Sequence, residues 1–138
     1  MKIETPSKSY KKDEYFVYSC QYHVVFCTKY RRKLLKEEVE QRIKCLINEK
    51  QEEYGYEILD MEIMPDHVHL ILDINPRKSD IYKIVSKIKG YLSNTIRKEF
   101  KSVKTKTPSL WTNSRFISTV GAVTLEVVKK YIEKQKDK

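Results

Sequence analysis

No stretch of this 138-residue chain approaches the ~20 consecutive apolar residues needed to span a bilayer. The opening residues are charged and lack the apolar core of a secretory signal. Cysteine is sparse and odd in number: Cys20, Cys27 and Cys45, with no CxxC pair. That argues against both a disulfide framework and a zinc ribbon. The expectation is a cytoplasmic protein with reduced thiols. Acidic residues are short as well, 19 against 28 Lys and Arg, for a net charge of +9. A surplus of that size attracts polyanions, of which nucleic acid is the usual one, although a Lys-rich surface with no particular partner has the same composition.

What is present suffices for one domain. Hydrophobic residues make up 40% of the chain, far above a disordered composition. A chain of this length buries roughly two-thirds of its unfolded surface. There is no internal repeat and no domain boundary. Residues 1–14 are polar and Lys-rich and read as a flexible basic N-terminus, with residues 15–138 as a single domain. From Tyr15 to Thr28 the chain is dense in aromatic and β-branched residues, which predicts a long central strand, or a strand with a bulge. Residues 36–54 switch to helical spacing, with Val39, Ile43, Ile47 and Lys50 on one face, and Gly55 ends the helix. Strands follow at 56–64 and 67–74, separated by Pro65-Asp66. A second helix is predicted over 81–100, capped by Ser79 or Asp80, with an apolar stripe from Ile81 to Phe100. Gly90 inside it costs ~1 kcal/mol relative to Ala, which close packing on a sheet or a close partner would explain. Residues 101–108 read as a basic loop, 110–120 as one or two short strands, and 124–135 as a last helix. The order β-α-β-β-α-β-α predicts an α+β fold, a ferredoxin-like antiparallel sheet with two helices on one face plus a C-terminal helix.

Three groups of residues carry chemistry. His67 and His69 stand at i, i+2 in a predicted strand and so share a face, while Val68 points the other way. Two imidazoles side by side form a bidentate metal site; they are equally compatible with one stacked and one solvated histidine. Pro65-Asp66 supplies either a carboxylate or a turn. Tyr131 and Gln135 stand at i, i+4 on the last helix, at the margin of a seam formed by Leu125, Val128 and Ile132. Half burial there fits packing as well as function. A zinc site from Cys20, His23, His67 and His69 is disfavoured, because positions 20 and 23 of one strand face opposite sides. The third group is basic: Lys29, Arg31, Arg32 and Lys33 are suited to phosphates, and Tyr30 to stacking on a base. Lys104, Lys106 and Arg115 are further candidates.

The segments HVVFCTKYRRKLL (23–35), MPDHVHLIL (64–72) and SLWTNSRFISTVG…VVKKYIEKQ (109–135) together resemble the single-tyrosine HUH transposases of bacterial and archaeal insertion sequences. HUH denotes His, a bulky hydrophobic residue, His. The likeness covers nearly all of the chain beyond the first dozen residues, in the family's order and spacing. It implies His67, His69 and Gln135 as ligands of Mg²⁺ or Mn²⁺ and Tyr131 as nucleophile. It implies cleavage and rejoining of single-stranded DNA through a 5′-phosphotyrosine, recognition of a hairpin near the element's end, and a homodimer whose active sites combine the HUH pair of one subunit with the tyrosine helix of the other. Imidazole ligands favour softer ions than Mg²⁺, so Mn²⁺ would suit this set better. Two other readings fit the residues: a non-enzymatic single-strand binder on a ferredoxin-like sheet, and a domesticated relative that processes repetitive hairpins.

Overall fold

The computed structural model describes residues 10–121, 125–136 and 138. Its centre is a four-stranded antiparallel sheet in the order β4-β5-β3-β6. The strands are β3 (Gln21–Cys27), β4 (Tyr56–Met64), β5 (His67–Ile74) and β6 (Phe116–Thr119). This is the ferredoxin-like arrangement expected from the element order. The two inner strands are the most apolar segments of the chain, and all eight residues of β5 are buried. A strand reads as a continuous apolar run when both of its faces are covered.

One face carries the main core. Val24 and Phe26 of β3 and Val68, Leu70 and Leu72 of β5 meet α1 (Glu38–Glu49) and α3 (Ile81–Glu99). α1 contributes Val39, Ile43, Leu46 and Ile47, and α3 contributes Ile84, Val85, Ile88, Leu92 and Ile96, each set at helical spacing. Asp80 caps α3 by accepting a hydrogen bond from the Lys83 amide. Phe26 is fully buried and stands edge-on to Trp111, ring centroids 4.8 Å apart. Phe26→Ala is expected to cost ~3–5 kcal/mol of unfolding free energy in a urea titration, through lost burial and the cavity left behind.

Several boundaries differ from those the sequence predicts. The aromatic segment from Tyr15 is not one strand: Val17–Tyr18 (β2) pairs with Lys11–Lys12 (β1) in a separate hairpin, and β3 starts only at Gln21. Asp13 anchors this hairpin by accepting from Asn75 at 2.9 Å and from Arg77 at 3.2 Å. Part of the expected flexible N-terminus is therefore paired; residues 1–9 lie outside the described residues. The first helix breaks at Lys50 into α1 and a single turn, α2 (Gln51–Tyr54), which Gly55 stops in the left-handed conformation at φ 82°. The basic segment expected as a loop is a short helix, α4 (Lys101–Lys106). No side-chain cap announces it, but burying Val103 offsets the missing signal. A Cβ at Gly90 would meet nothing within 4 Å, so crowding does not explain that glycine. No helix among the described residues is long and apolar enough to cross a membrane.

Candidate active site

The opposite face of the sheet is set by strand parity. β3 pairs with β5 so that Cys27 opposes His67, Val25 opposes His69 and His23 opposes Ile71. Directly opposed residues share a face. His23, Val25, Cys27, His67 and His69 therefore all lie away from α1 and α3. The last helix, α5 (Leu125–Glu133), covers this face: Val128 and Ile132 bury against Val25 and Cys27, with Phe116 and Tyr131 packed around them. Burial among these groups pushes the Cys27 thiol up to about 12. Within this single chain, α5 is seated on its own sheet.

The HUH histidines are both buried, but their nitrogens are engaged differently. His67 Nδ1 lies 2.7 Å from Asp66 Oδ1, whereas its Nε2 is buried with no hydrogen-bond partner among the described residues. A neutral His67 donating Nδ1–H to the carboxylate leaves a lone pair on Nε2, the tautomer a metal ligand requires. Burial disfavours the charge on Asp66, yet the His67 contact and the Arg31 guanidinium outweigh it and hold the carboxyl below the ordinary range. Asp66 thus orients His67. Arg31 reaches Asp66 Oδ2 through Nε at 3.0 Å and pairs with Glu133 of α5 at 3.5 Å. His69 is 2% exposed and its Nε2 lies 3.1 Å from His23 Nδ1. Burial, with His23 beside it, pushes His69 down to about 4, so the ring is neutral.

Tyr131 is half-buried. Its hydroxyl lies 2.8 Å from Ser114 Oγ and its ring 5.4 Å from that of Phe116. Burial raises the phenol above its usual range, and the Ser114 hydrogen bond and Arg115 charge oppose that rise. Ser114 is itself held from behind. Lys89, a buried lysine of α3, donates to the Ser114 carbonyl at 3.1 Å and the Thr112 carbonyl at 2.7 Å. Burial pushes its ammonium down to about 8, helped by the charge of Arg115. Gln135 is 2% exposed, not at the margin of the seam as its spacing suggests. The chain tightens after Glu133, where the Gln135 amide bonds to the Ile132 carbonyl three residues back, and this turns the side chain inward. Its Nε2 donates to the Tyr131 carbonyl at 3.4 Å, and its Oε1 is buried without a partner. Leu125 belongs to α5, but its side chain lies outside the described residues.

In that tautomer His67 Nε2, like Gln135 Oε1, is an acceptor held out of water with no donor among the described residues. Leaving such groups unpaired is costly. Each has a lone pair that a divalent cation could accept, so the chemistry of these donors fits a metal. The donor set of imidazole and amide favours Mn²⁺ over Mg²⁺.

The basic segment after β3 divides into distinct roles. Tyr30 and Arg31 adopt positive φ, 57° and 51°, an uncommon conformation for such side chains. The kink leaves Tyr30 half exposed, with Lys29 Nζ 5.2 Å and Arg32 Cζ 5.9 Å from its ring centroid. Arg31 instead turns inward to Asp66. Lys33 lines a separate cleft of about 310 Å³ with Lys36 and Lys106. Arg115 stacks over Tyr82 at 4.4 Å and donates to Ser86. Lys104 lies on α4. Sequence reasoning set His23 aside as part of a disfavoured zinc set and did not single out Ser114 or Lys89. Parity with β5 would have revealed His23, given the register. Ser114 sits in the SLWTNSRF segment, and Lys89 carries no sequence signal separating it from surface lysines.

Comparison with known proteins identifies the family and the fold. The family model described as "Transposase IS200 like" matches residues 16–135. The ISDra2 transposase TnpA of Deinococcus radiodurans is 36% identical over 130 residues, 93% of this chain and 92% of that protein. The transposase for insertion sequence element IS200 of Salmonella typhimurium is 29% identical over 120 residues, 86% of this chain and 78% of that protein. A crystal structure of a candidate transposase from Deinococcus radiodurans superposes with a TM-score of 0.82 at 32% identity, covering 91% of this chain and 97% of that one. A REP-associated tyrosine transposase bound to a REP hairpin shares the fold, with a TM-score of 0.56 at 13% identity over 95% of this chain and 69% of that one. With the family model spanning the sheet, both histidines and the whole of α5, the chain belongs to the IS200-like transposase family.

Proposed function

We propose that this protein cuts and rejoins single-stranded DNA at insertion-sequence ends, with Tyr131 as nucleophile and His67, His69 and Gln135 as ligands of a divalent ion. The observation that supports the reading is that His67 Nε2, on the sheet face covered by α5, and Gln135 Oε1, just beyond α5, are both buried without a hydrogen-bond partner among the described residues. Bound there, the ion would polarise the scissile phosphate and take up charge developing on it. Tyr131 Oη forms a bond to phosphorus as the bond from phosphorus to the 3′-oxygen breaks. The phenolic proton ends on the departing 3′-hydroxyl, and the DNA is left as a 5′-phosphotyrosine. The phosphoester is conserved, so the reverse attack by a 3′-hydroxyl rejoins strands without ATP.

Lys29, Tyr30 and Arg32 are the side chains we assign to DNA beside this centre, two cations flanking an exposed ring. Lys33 and Arg115 are further phosphate contacts, Arg115 being close enough for its charge to act on Tyr131. A hairpin is the proposed recognition element, as a hairpin is what the REP-associated neighbour holds. A homodimer with shared sites is also part of the proposal. The α5 seat is small, centred on Val25, Cys27, Val128 and Ile132, and a second copy offers an identical one.

The testing experiment incubates the protein with labelled single-stranded DNA from the gene's flanks, with Mn²⁺ or EDTA, and resolves the products on a denaturing gel. A metal-dependent band of protein-linked DNA is expected. Tight binding without a band would favour a binding module.

Ser114 gives a pH prediction. Its hydrogen bond lowers the Tyr131 pKa, so Ser114→Ala should raise it further. The single-turnover rate then needs more alkaline solution to reach its plateau, and at pH 7 it falls by roughly 2–10-fold, the worth of one hydrogen bond. An unshifted pH profile would count against Ser114 acting on the phenol.

A further inference from the structure

We propose that His23 is the positioning residue for His69, accepting its Nε2–H and so fixing the tautomer in which Nδ1 keeps its lone pair for the ion. This rests on the reading of His69 as a ligand.

Three facts carry it. His23 is 1% exposed and His69 is 2% exposed, so water does not compete for the contact. The Nδ1···Nε2 separation is 3.1 Å, a hydrogen-bond distance. The ring planes differ by 16° and the centroids are 5.4 Å apart. That centroid separation exceeds the nitrogen separation by about one ring diameter, so the imidazoles lie end to end in nearly one plane and not face to face. An end-to-end contact between two neutral imidazoles needs one proton, carried by one ring and accepted by the other. If His23 donated, His69 would carry its proton on Nδ1 and have both nitrogens spoken for. Only when His69 donates is a lone pair left over. His23 then does for His69 what Asp66 does for His67. Each ligand has one nitrogen anchored by a buried neighbour, but opposite nitrogens are anchored: Nδ1 of His67 and Nε2 of His69. Sequence register explains why β3 can supply the anchor, since His23 lies diagonally across from His69, opposite Ile71.

Outer partners of ligating histidines typically matter 10–100-fold in metal affinity. The test titrates Mn²⁺ alone into wild type, His67→Ala, His23→Leu and His23→Asn, following free Mn²⁺ by electron paramagnetic resonance, with thermal unfolding of each variant alongside. Asn places a carbonyl oxygen close to where His Nδ1 stands. The expectation is a 10–100-fold loss of affinity in His23→Leu and recovery to within a few-fold of wild type in His23→Asn. Wild-type affinity in His23→Leu, tighter binding, or an Asn variant as weak as the Leu variant would overturn the proposal. Nitrogen-15 spectra of the wild-type histidines give a readout independent of any variant. They should show His69 as the Nε2–H tautomer, and an Nδ1–H tautomer would overturn it equally. Mn²⁺ binding unaffected by His67→Ala would instead remove the ligand reading itself, and the proposal for His23 with it.

Discussion

Tyr131→Phe is expected to abolish the covalent protein–DNA band, reducing adduct formation by at least ~10³-fold while leaving Mn²⁺ binding and DNA affinity intact. The substitution deletes one oxygen. The ring stays seated against Phe116, and Val128 and Ile132 keep α5 on the sheet. Ser114 Oγ loses its partner, but that hydroxyl is only partly buried and can turn to water. Stability should therefore change little, and the loss is chemical. Nine other tyrosines occur in the chain, and none of them lies on α5. An adduct that persisted in Tyr131→Phe would mean that one of them, or another nucleophile, forms the bond, and the proposed mechanism would fail.

His67→Ala should remove metal-dependent activity and weaken Mn²⁺ binding by more than ~100-fold, a larger effect than loss of an outer partner. The reason lies in what is left behind. Without His67, Asp66 keeps Arg31 but loses the imidazole that helps hold it ionised, and one of the proposed ligands is gone. Asp66→Asn should show the intermediate result, ~10–100-fold weaker Mn²⁺ binding, because the ring remains but its tautomer is no longer set by a carboxylate. Equal affinity in all three proteins, measured by the same titration, would mean the ion binds elsewhere. Mixing Tyr131→Phe with His67→Ala then tests the shared dimer. Cleavage that returns on mixing requires a histidine pair from one subunit and a tyrosine from the other.

The fold was legible where periodicity was strong. Strand β5 and the apolar stripes of α1 and α3 stand where alternation and helical spacing predict them, because burial on a defined face leaves no other register. Short segments were not legible. α4 forms because Val103 finds the core, and β1 pairs with β2 because Asp13 is tied to Asn75 and Arg77, contacts made by residues far apart in sequence. The site shows the same division. The face shared by His67 and His69 follows from strand parity, and their likeness to a family pointed to Tyr131 and Gln135. What each nitrogen touches did not follow. Asp66 read also as a turn, Arg31 as a phosphate contact, and His23 as a member of a disfavoured zinc set with Cys20, because all three roles depend on how β3 and β5 align.

β5 also works as a reading frame. Val68, Leu70 and Leu72 serve the main core, and His67 and His69 alternate with them on the other side. Deleting a single residue ahead of this segment, were the strand to keep its seat, would transpose the two sets, sending imidazoles among α1 and α3 and leucines to the face under α5. Loss of folding and loss of chemistry are thus the same event for an insertion or deletion here, whereas substitutions can strike one without the other. Drift in this gene should accordingly leave the length of β5 untouched long after its individual side chains have begun to change.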